Sequence, residues 1–550
     1  MDFTQYFATR MMRLLTPQAE PIPGSNQVAN SGGGYSWPVD PWTRLDRFLV
    51  LGSEGGTYYI GGRELTRENA RAVVECVAAD GPRVVRRIVE ISGSGRAPKN
   101  DPALFFALAI AAGLGDAATK TAVWTALPEV VRTGTHLFHW LQYVQAFRGW
   151  GRGVRRAVAA WYTAKPAEDV IHQVLKYPSR DGWAHRDALR LAHPKAPTVA
   201  HDLVFRYATR GWGGVLELDG VSDLPVVQSI EAVQAVKHQM PGLAAQTIAR
   251  HRLTREMVPT ELLVHAVVWE ALLERMPLTA MIRNLGVMSK VGLLVPMSDA
   301  VRLVVERLGD RAALRATRVH PITVLAALKT YAQGRGMKGP GQWSPVPQVV
   351  NALDAAFYLA FENAPSTGKR VMLALDVSGS MGSPVHGMNY LSCREASAAM
   401  ALVTAAREPR HMFTAFTEGS SASRWYQLGS GISQLAISPR QRLDDVVKQI
   451  SRLRFGGTDC ALPMLEATKH RWPVDLFVIY TDSETWAGQV HPAQALRQYR
   501  ERMGIPAKLA VVGMASNGFT IADPDDAGML DVVGFDPATP SVIADFAAPT

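Results

Sequence analysis

Residues 376–380 read Asp-Val-Ser-Gly-Ser and follow directly on the apolar run Met372–Leu375. One carboxylate and two hydroxyls at alternate positions, just past a buried strand, can aim oxygens at one point. Two later stretches supply partners for them. Gly456-Gly457-Thr458-Asp459 is a tight loop offering a hydroxyl, and Tyr480-Thr481-Asp482-Ser483-Glu484 ends a second apolar run with a carboxylate. Asp376, Ser378, Ser380, Thr458 and Asp482 together make a hydroxyl-rich set of hard oxygen donors. Such a set suits one Mg²⁺ or Mn²⁺ ion in octahedral geometry. With only about two formal charges among its protein ligands, the ion would stay electrophilic and accept a carboxylate or phosphate oxygen from a partner. Asp459 and Glu484 read as helix caps or outer support.

A second group of residues is cationic. Between Arg132 and Lys195 there are 11 Lys and Arg against 4 Asp and Glu. The densest part, Phe147-Arg-Gly-Trp-Gly-Arg-Gly-Val-Arg-Arg156, offers Arg148, Arg152, Arg155 and Arg156. Glycine lets a backbone approach closely, and arginine favours planar, bidentate partners. At least one of these arginines is expected to pair within its own helical layer. A little further on, Lys176, Arg180, His185, Arg190 and His193 share one 20-residue stretch. Lysine and arginine neutralise phosphates, and histidine can donate to phosphate or stack on bases. His185 reads equally well as a helix-start residue partnered by Asp187. His136 and His139 lack a third metal ligand and read as core or rim residues. Trp37, Trp150 and Trp183 read as core.

The elements that must position these groups fall into two textures. Up to residue 365, apolar residues recur at helical spacing in segments of 8–16 residues. Examples are 67–79, 82–92, 102–113, 116–131, 137–148, 167–176 and 184–191, with short Gly, Pro or Asp breaks such as Asp80-Gly81-Pro82. Helix pairs joined by short loops stack into a curved array. Residues 334–348 are rich in Gly and Pro, and 364–368 mark a boundary, so domains of 1–365 and 366–550 are expected. Beyond the boundary, strand-length runs at 370–377, 411–416, 474–480 and 507–514 alternate with helical stretches. That alternation predicts a parallel, doubly wound sheet, whose ligands bind beyond the carboxyl ends of its strands. Asp376 sits at such an end.

Charge and cysteine content narrow the class. The chain carries 58 Lys and Arg against 49 Asp and Glu. Residues 366–550 hold 17 against 18, so the positive excess lies wholly in the helical part. Charge concentrated in this way is the footprint of a polyanionic partner. Cys76, Cys393 and Cys460 are odd in number and form no CxxC pair, which fits a reducing cytoplasm. The apolar run 104–114 is too short to span a bilayer, and the first 15 residues lack a signal-peptide core and read as an arm or helix. There is no phosphate-binding GxxxxGK[ST] loop, no nucleophile elbow and no HExxH. A two-metal nuclease needs more carboxylates than the Asp376 cluster holds.

The ordered set Asp376, Ser378, Ser380, Thr458 and Asp482 resembles the metal-ion-dependent adhesion site of von Willebrand factor A domains. The stretches QVANSGGGYSWPVDPWTRLDR (27–47), GRAPKNDPALFFALA (95–109), RTGTHLFHWLQYVQAFRGWGRGVRRAVAAWY (132–162) and KYPSRDGWAHRDALRLAHPK (176–195) resemble the TROVE domain of the Ro autoantigen family. The likeness continues through GKRVMLALDVSGSM, GGTDCALPM and TDSETW, and so covers nearly the whole chain. It implies a mainly α ring of HEAT-like helical repeats, closed by a C-terminal α/β von Willebrand A domain. It also implies a cytoplasmic, monomeric ring without enzymatic activity. Small noncoding Y RNA would bind on the outer surface. Single-stranded ends of misfolded or precursor RNA, ribosomal RNA among them, would enter a central hole. Polynucleotide phosphorylase or another exoribonuclease is the implied protein partner. The family's Y RNA contacts map to Lys176, Arg180 and His193, while Pro178-Ser179 replaces a longer polar pair. Two other readings compete. One is an Mg²⁺-dependent protein-adhesion module with incidental RNA binding, and the other a metal-dependent ribonuclease.

Overall fold

Apolar residues at helical spacing become helices that pack on their sequence neighbours. The computed structural model describes residues 15–38, 41–51, 62–94, 102–317, 319, 321–336, 341–385, 388–418, 431–453, 456–482, 485–514, 519–533 and 539–548. Residues 1–14 of the expected 15-residue arm, and Glu484, lie outside these. Pro102–Leu114 carries no charged side chain and is buried on most sides, between Gly62–Ser94 and Gly134–Phe147. From there each helix packs on a later one, through Arg152–Thr163, His185–Ala192, Val199–Arg210 and Pro225–Val236, to Pro321–Ala332 and Pro347–Leu359.

The expected break at Asp80-Gly81-Pro82 is a kink between two helices, where Asp80 is non-helical at φ −157° and ψ 82°. Proline removes a backbone donor there, and Asp80 Oδ1 accepts the Arg83 N–H at 2.9 Å, capping the second helix. The helix Arg152–Thr163 was hidden by its glycines. Gly151 is its N-cap, and Gly153 lies so close to Trp124 that a Cβ would come within 2.9 Å of the indole.

The C-terminal part is built on a six-stranded sheet. Its order is Met529–Val533, Lys508–Gly513, Leu476–Thr481, Val371–Asp376, His411–Phe416 and Ile432–Leu435. All neighbours are parallel except the last pair, where Ile432–Leu435 is an antiparallel edge. Strand residues alternate between two cores, as a strand's two-residue period requires. Leu373, Leu375, Val478 and Tyr480 join the core that holds the helix Cys393–Arg407. Met372, Ala374, Phe477 and Ile479 join the core that holds Leu462–Lys469 and Pro492–Met503.

Both ends of the helical stack dock on this domain. At one end, Tyr35–Pro38 pairs antiparallel with Phe519–Thr520, and Pro41–Leu51 packs on Met529–Val533. At the other end, Lys329 Nζ lies 3.3 Å from Glu395 Oε1, and Arg442 pairs with Asp354 at 3.2 Å. Tyr358 Oη accepts the Leu443 N–H at 2.8 Å, and Arg407 Nε donates to the Ala364 carbonyl at 2.8 Å. The helices and the α/β domain therefore close one continuous ring of contacts.

Candidate metal centre and nucleic-acid interface

Strand register brings the metal candidates together. Leu375 is paired with Tyr480, so the next residues, Asp376 and Thr481, end level with each other. Thr481 Oγ1 donates to Asp376 Oδ2 at 2.7 Å, and the Ser378 N–H donates to Asp376 Oδ1 at 2.8 Å. Ser378 Oγ lies 3.0 Å from Ser380 Oγ. Asp376, Ser378, Thr458 and Asp482 are buried, and Ser380 is half-buried. The Thr458 loop reaches the same place through Cys460, whose Sγ lies 3.8 Å from Thr481 Oγ1. Burial and the neighbouring charge of Asp482 push the Asp376 carboxyl up to about 7. Two buried carboxylates repelling one another amid hydroxyl oxygens suit a cation between them, so the donor set fits a hard divalent ion. Among the described residues no group of three or more His, Cys, Asp or Glu forms a metal site, and a set built on Ser and Thr oxygens is of another kind.

Asp459 serves as support. Its Oδ1 accepts the Ala461 N–H at 3.0 Å and the Gln18 side-chain amide at 2.7 Å. Gln18 is fully buried and also donates to the Val490 carbonyl, while its Oε1 accepts from Thr485 Oγ1 and the Gly488 N–H. The N-terminal strap therefore braces the loop behind the metal candidates from more than 400 positions away in sequence. Sequence reading missed Gln18, since nothing local marks it. It also missed Arg394, whose Nη2 donates to the Ser378 carbonyl at 3.2 Å.

The cationic residues sort into surface and interior. The stretch 176–193 is a helix end, a hairpin and a helix. Ser179–Arg180 pairs with Trp183–Ala184 across Asp181 and Gly182, both at positive φ, 52° and 79°. This is the Asp-Gly signature of a tight two-residue hairpin turn. His139 hydrogen-bonds Asp181 and ties the turn to the helix Gly134–Phe147. The hairpin holds Arg180 out to solvent. Arg190 and His193 are exposed at the end of His185–Ala192, with His193 in the left-handed conformation at φ 49°. Lys176 is half-buried in the last turn of Ala167–Lys176.

His185 is corrected: it is 2% exposed and cannot meet an RNA on the surface. Its Nδ1 lies 2.7 Å from Tyr162 Oη, and its ring meets Phe138 edge-on at 4.8 Å. Asp187 still closes the helix start, accepting the Ala184 N–H at 3.1 Å. Arg148 is exposed but works within the stack, donating to the Ala112 carbonyl at 2.8 Å with its guanidinium 5.6 Å from the Trp124 ring centre. Arg152, Arg155 and Arg156 are exposed. His136 is buried against Phe105. Trp37 is buried, and Trp150 and Trp183 are half-buried against each other.

Comparison with known proteins agrees across the chain. The TROVE domain model matches residues 28–212 and 237–330, and the Ro60 vWA domain model matches 370–547. RNA-binding protein RO60 of Deinococcus radiodurans is 42% identical, over 96% of this chain and 97% of that protein. RNA-binding protein RO60 of Caenorhabditis elegans is 37% identical, over 94% and 90%. The crystal structure of the Deinococcus radiodurans RO (RSR) protein superposes with a TM-score of 0.74, covering 92% of this chain and 99% of that one.

Proposed function

This chain belongs to the Ro60 family of TROVE-domain proteins, and we propose that it is a non-catalytic RNA-binding scaffold of the cytoplasm. A small structured Y-type RNA binds the outer face of the helical ring at Lys176, Arg180, Arg190 and His193. Single-stranded ends of misfolded or precursor RNA enter the central hole. An exoribonuclease such as polynucleotide phosphorylase is the partner that degrades or trims them.

One observation supports this most. Lys176, Arg180, Arg190 and His193 sit on one helix–hairpin–helix unit, and all but half-buried Lys176 are exposed. Phosphate contacts of this kind position RNA and make its binding salt-dependent. Arg152, Arg155 and Arg156 extend the positive surface along the neighbouring helix.

Asp376, Ser378, Ser380, Thr458 and Asp482 would hold one Mg²⁺ or Mn²⁺. When bound, the ion would supply a Lewis-acidic position for a partner's carboxylate or phosphate oxygen. The chain's own contribution is to hold the oxygens at the sheet edge. Thr481 orients Asp376, and the Gln18–Asp459 contact fixes the Thr458 loop. We assign this centre to partner docking or structure.

RNA crosslinking and sequencing on the protein from its native cell tests the reading. One small structured RNA should dominate, and Lys176→Ala/Arg180→Ala/His193→Ala should lose it. RNA retained in full by that variant would place the binding site elsewhere.

A further inference from the structure

A cavity of about 410 Å³ opens beside Lys176, on the proposed RNA face. It lies among the helices Pro241–His251, Ala266–Arg275 and Leu278–Lys290 and the loop that follows the first of them. Ile248, Leu253, Leu272 and Met276 are buried side chains of its wall. Lys176, Arg252, Arg255 and Arg275 also line it, against the single carboxylate of Glu256 among the described lining residues. An apolar chamber with a cationic lining suits a ligand that is flat and apolar at one end and anionic at the other.

Two polar atoms there have no partner. Thr254 Oγ1 and Arg255 Nε are both buried and both without a hydrogen bond, and both residues line the cavity. Leaving one such atom unpaired costs about 1–3 kcal/mol, so the Thr254–Arg255 segment stands to gain by turning these groups toward a ligand in the cavity. The Arg255 guanidinium lies 5.9 Å from the Trp269 ring centre. Volumes from roughly 300 Å³ upward hold small organic ligands.

We propose that this cavity binds a nucleoside phosphate, with the base against the apolar wall and the phosphate among Lys176, Arg252 and Arg275. The choice of ligand class rests on the RNA-binding reading. The nucleotide comes either from the bound RNA, turned out of its strand, or from solution. Lys176 favours the first source, because it lines the cavity and also ends the helix that leads into the Arg180 hairpin.

The test uses the nuclease-treated full chain. One arm titrates AMP, GMP, CMP and UMP by calorimetry, and the other titrates a stem–loop RNA with an unpaired internal loop. Ala249→Trp fills the cavity from a half-buried position. Arg252→Gly removes a cation at φ 54°, where glycine fits without strain, and so guards against a variant that fails to fold. An RNA-borne nucleotide predicts about tenfold weaker RNA binding in both variants, with an unchanged salt slope in Ala249→Trp. A free nucleotide predicts a mononucleotide Kd in the millimolar range or tighter, lost in both variants, with RNA affinity unaffected by Ala249→Trp. Tight RNA binding that neither variant changes, with no mononucleotide bound, overturns the cavity site and leaves the RNA reading standing. A wild-type chain that binds mononucleotides but no RNA overturns the RNA reading and keeps the cavity.

Discussion

At the scale of single residues, the candidate metal centre and the helical core depend on side chains whose partners are distant in sequence. Gln18 satisfies Asp459, Thr485, Gly488 and Val490 at once. Gln18→Ala leaves a buried carboxylate and a buried hydroxyl short of partners. It should lower stability by about 2–4 kcal/mol, read from urea unfolding. His136 and His185 give a second prediction. Burial holds both imidazoles neutral, down to about 4. The unfolded chain protonates them near the ordinary histidine value of about 6.5. Their contribution is therefore complete above about pH 6.5 and lost as pH falls toward 4, by up to about 3 kcal/mol per ring. Thermal unfolding from pH 7.5 to 4.5 should show a steepening loss, and a midpoint flat across that window would contradict it. Motif spacing could be read at this scale, because Asp376, Ser378 and Ser380 are two apart and face one way. The fate of His185 could not, because Tyr162 and Phe138 reach it only after folding.

At the scale of elements, the hairpin after Lys176 decides whether Arg180 can serve RNA. Gly182 sits at φ 79°, where a branched side chain is strained. Gly182→Val should cost about 1–2 kcal/mol locally and weaken RNA binding several-fold, with the global unfolding transition little changed. Electrophoretic mobility shift against a stem–loop RNA reads the first effect and circular dichroism the second. Element type was largely legible because the apolar period shifts from helix to strand near residue 365. Ala167–Lys176 and His411–Phe416 have the bounds that the pattern predicts. What escaped was set by tertiary packing. Arg152–Thr163 begins in a glycine-rich stretch, and Gly153 is needed there to clear Trp124. The edge strands Ile432–Leu435 and Met529–Val533 are short, and it is their neighbours that make them strands.

At the scale of the whole molecule, the helical ring carries the cations, and the near-neutral α/β domain carries the metal candidates. The two should therefore respond to different perturbations. Millimolar Mg²⁺ should raise the melting temperature through Asp376 and its neighbours, by about 1–3 kcal/mol of linkage, and Asp376→Ala should abolish the rise. Chelation should leave RNA affinity nearly intact. Ring closure was not legible from local pattern, because it depends on Gln18, Tyr35–Pro38, Lys329 and Tyr358 meeting residues far along the chain.

The most direct measurement is RNA affinity as a function of salt, for the wild type and for Lys176→Ala/Arg180→Ala/His193→Ala. Wild-type affinity should fall steeply with salt. The triple variant should bind at least tenfold more weakly, with a slope of log K against log salt shallower by about 2, since two lysine or arginine contacts are gone. Equal slopes and equal affinities in the two proteins would contradict the claim that RNA is held on this outer face.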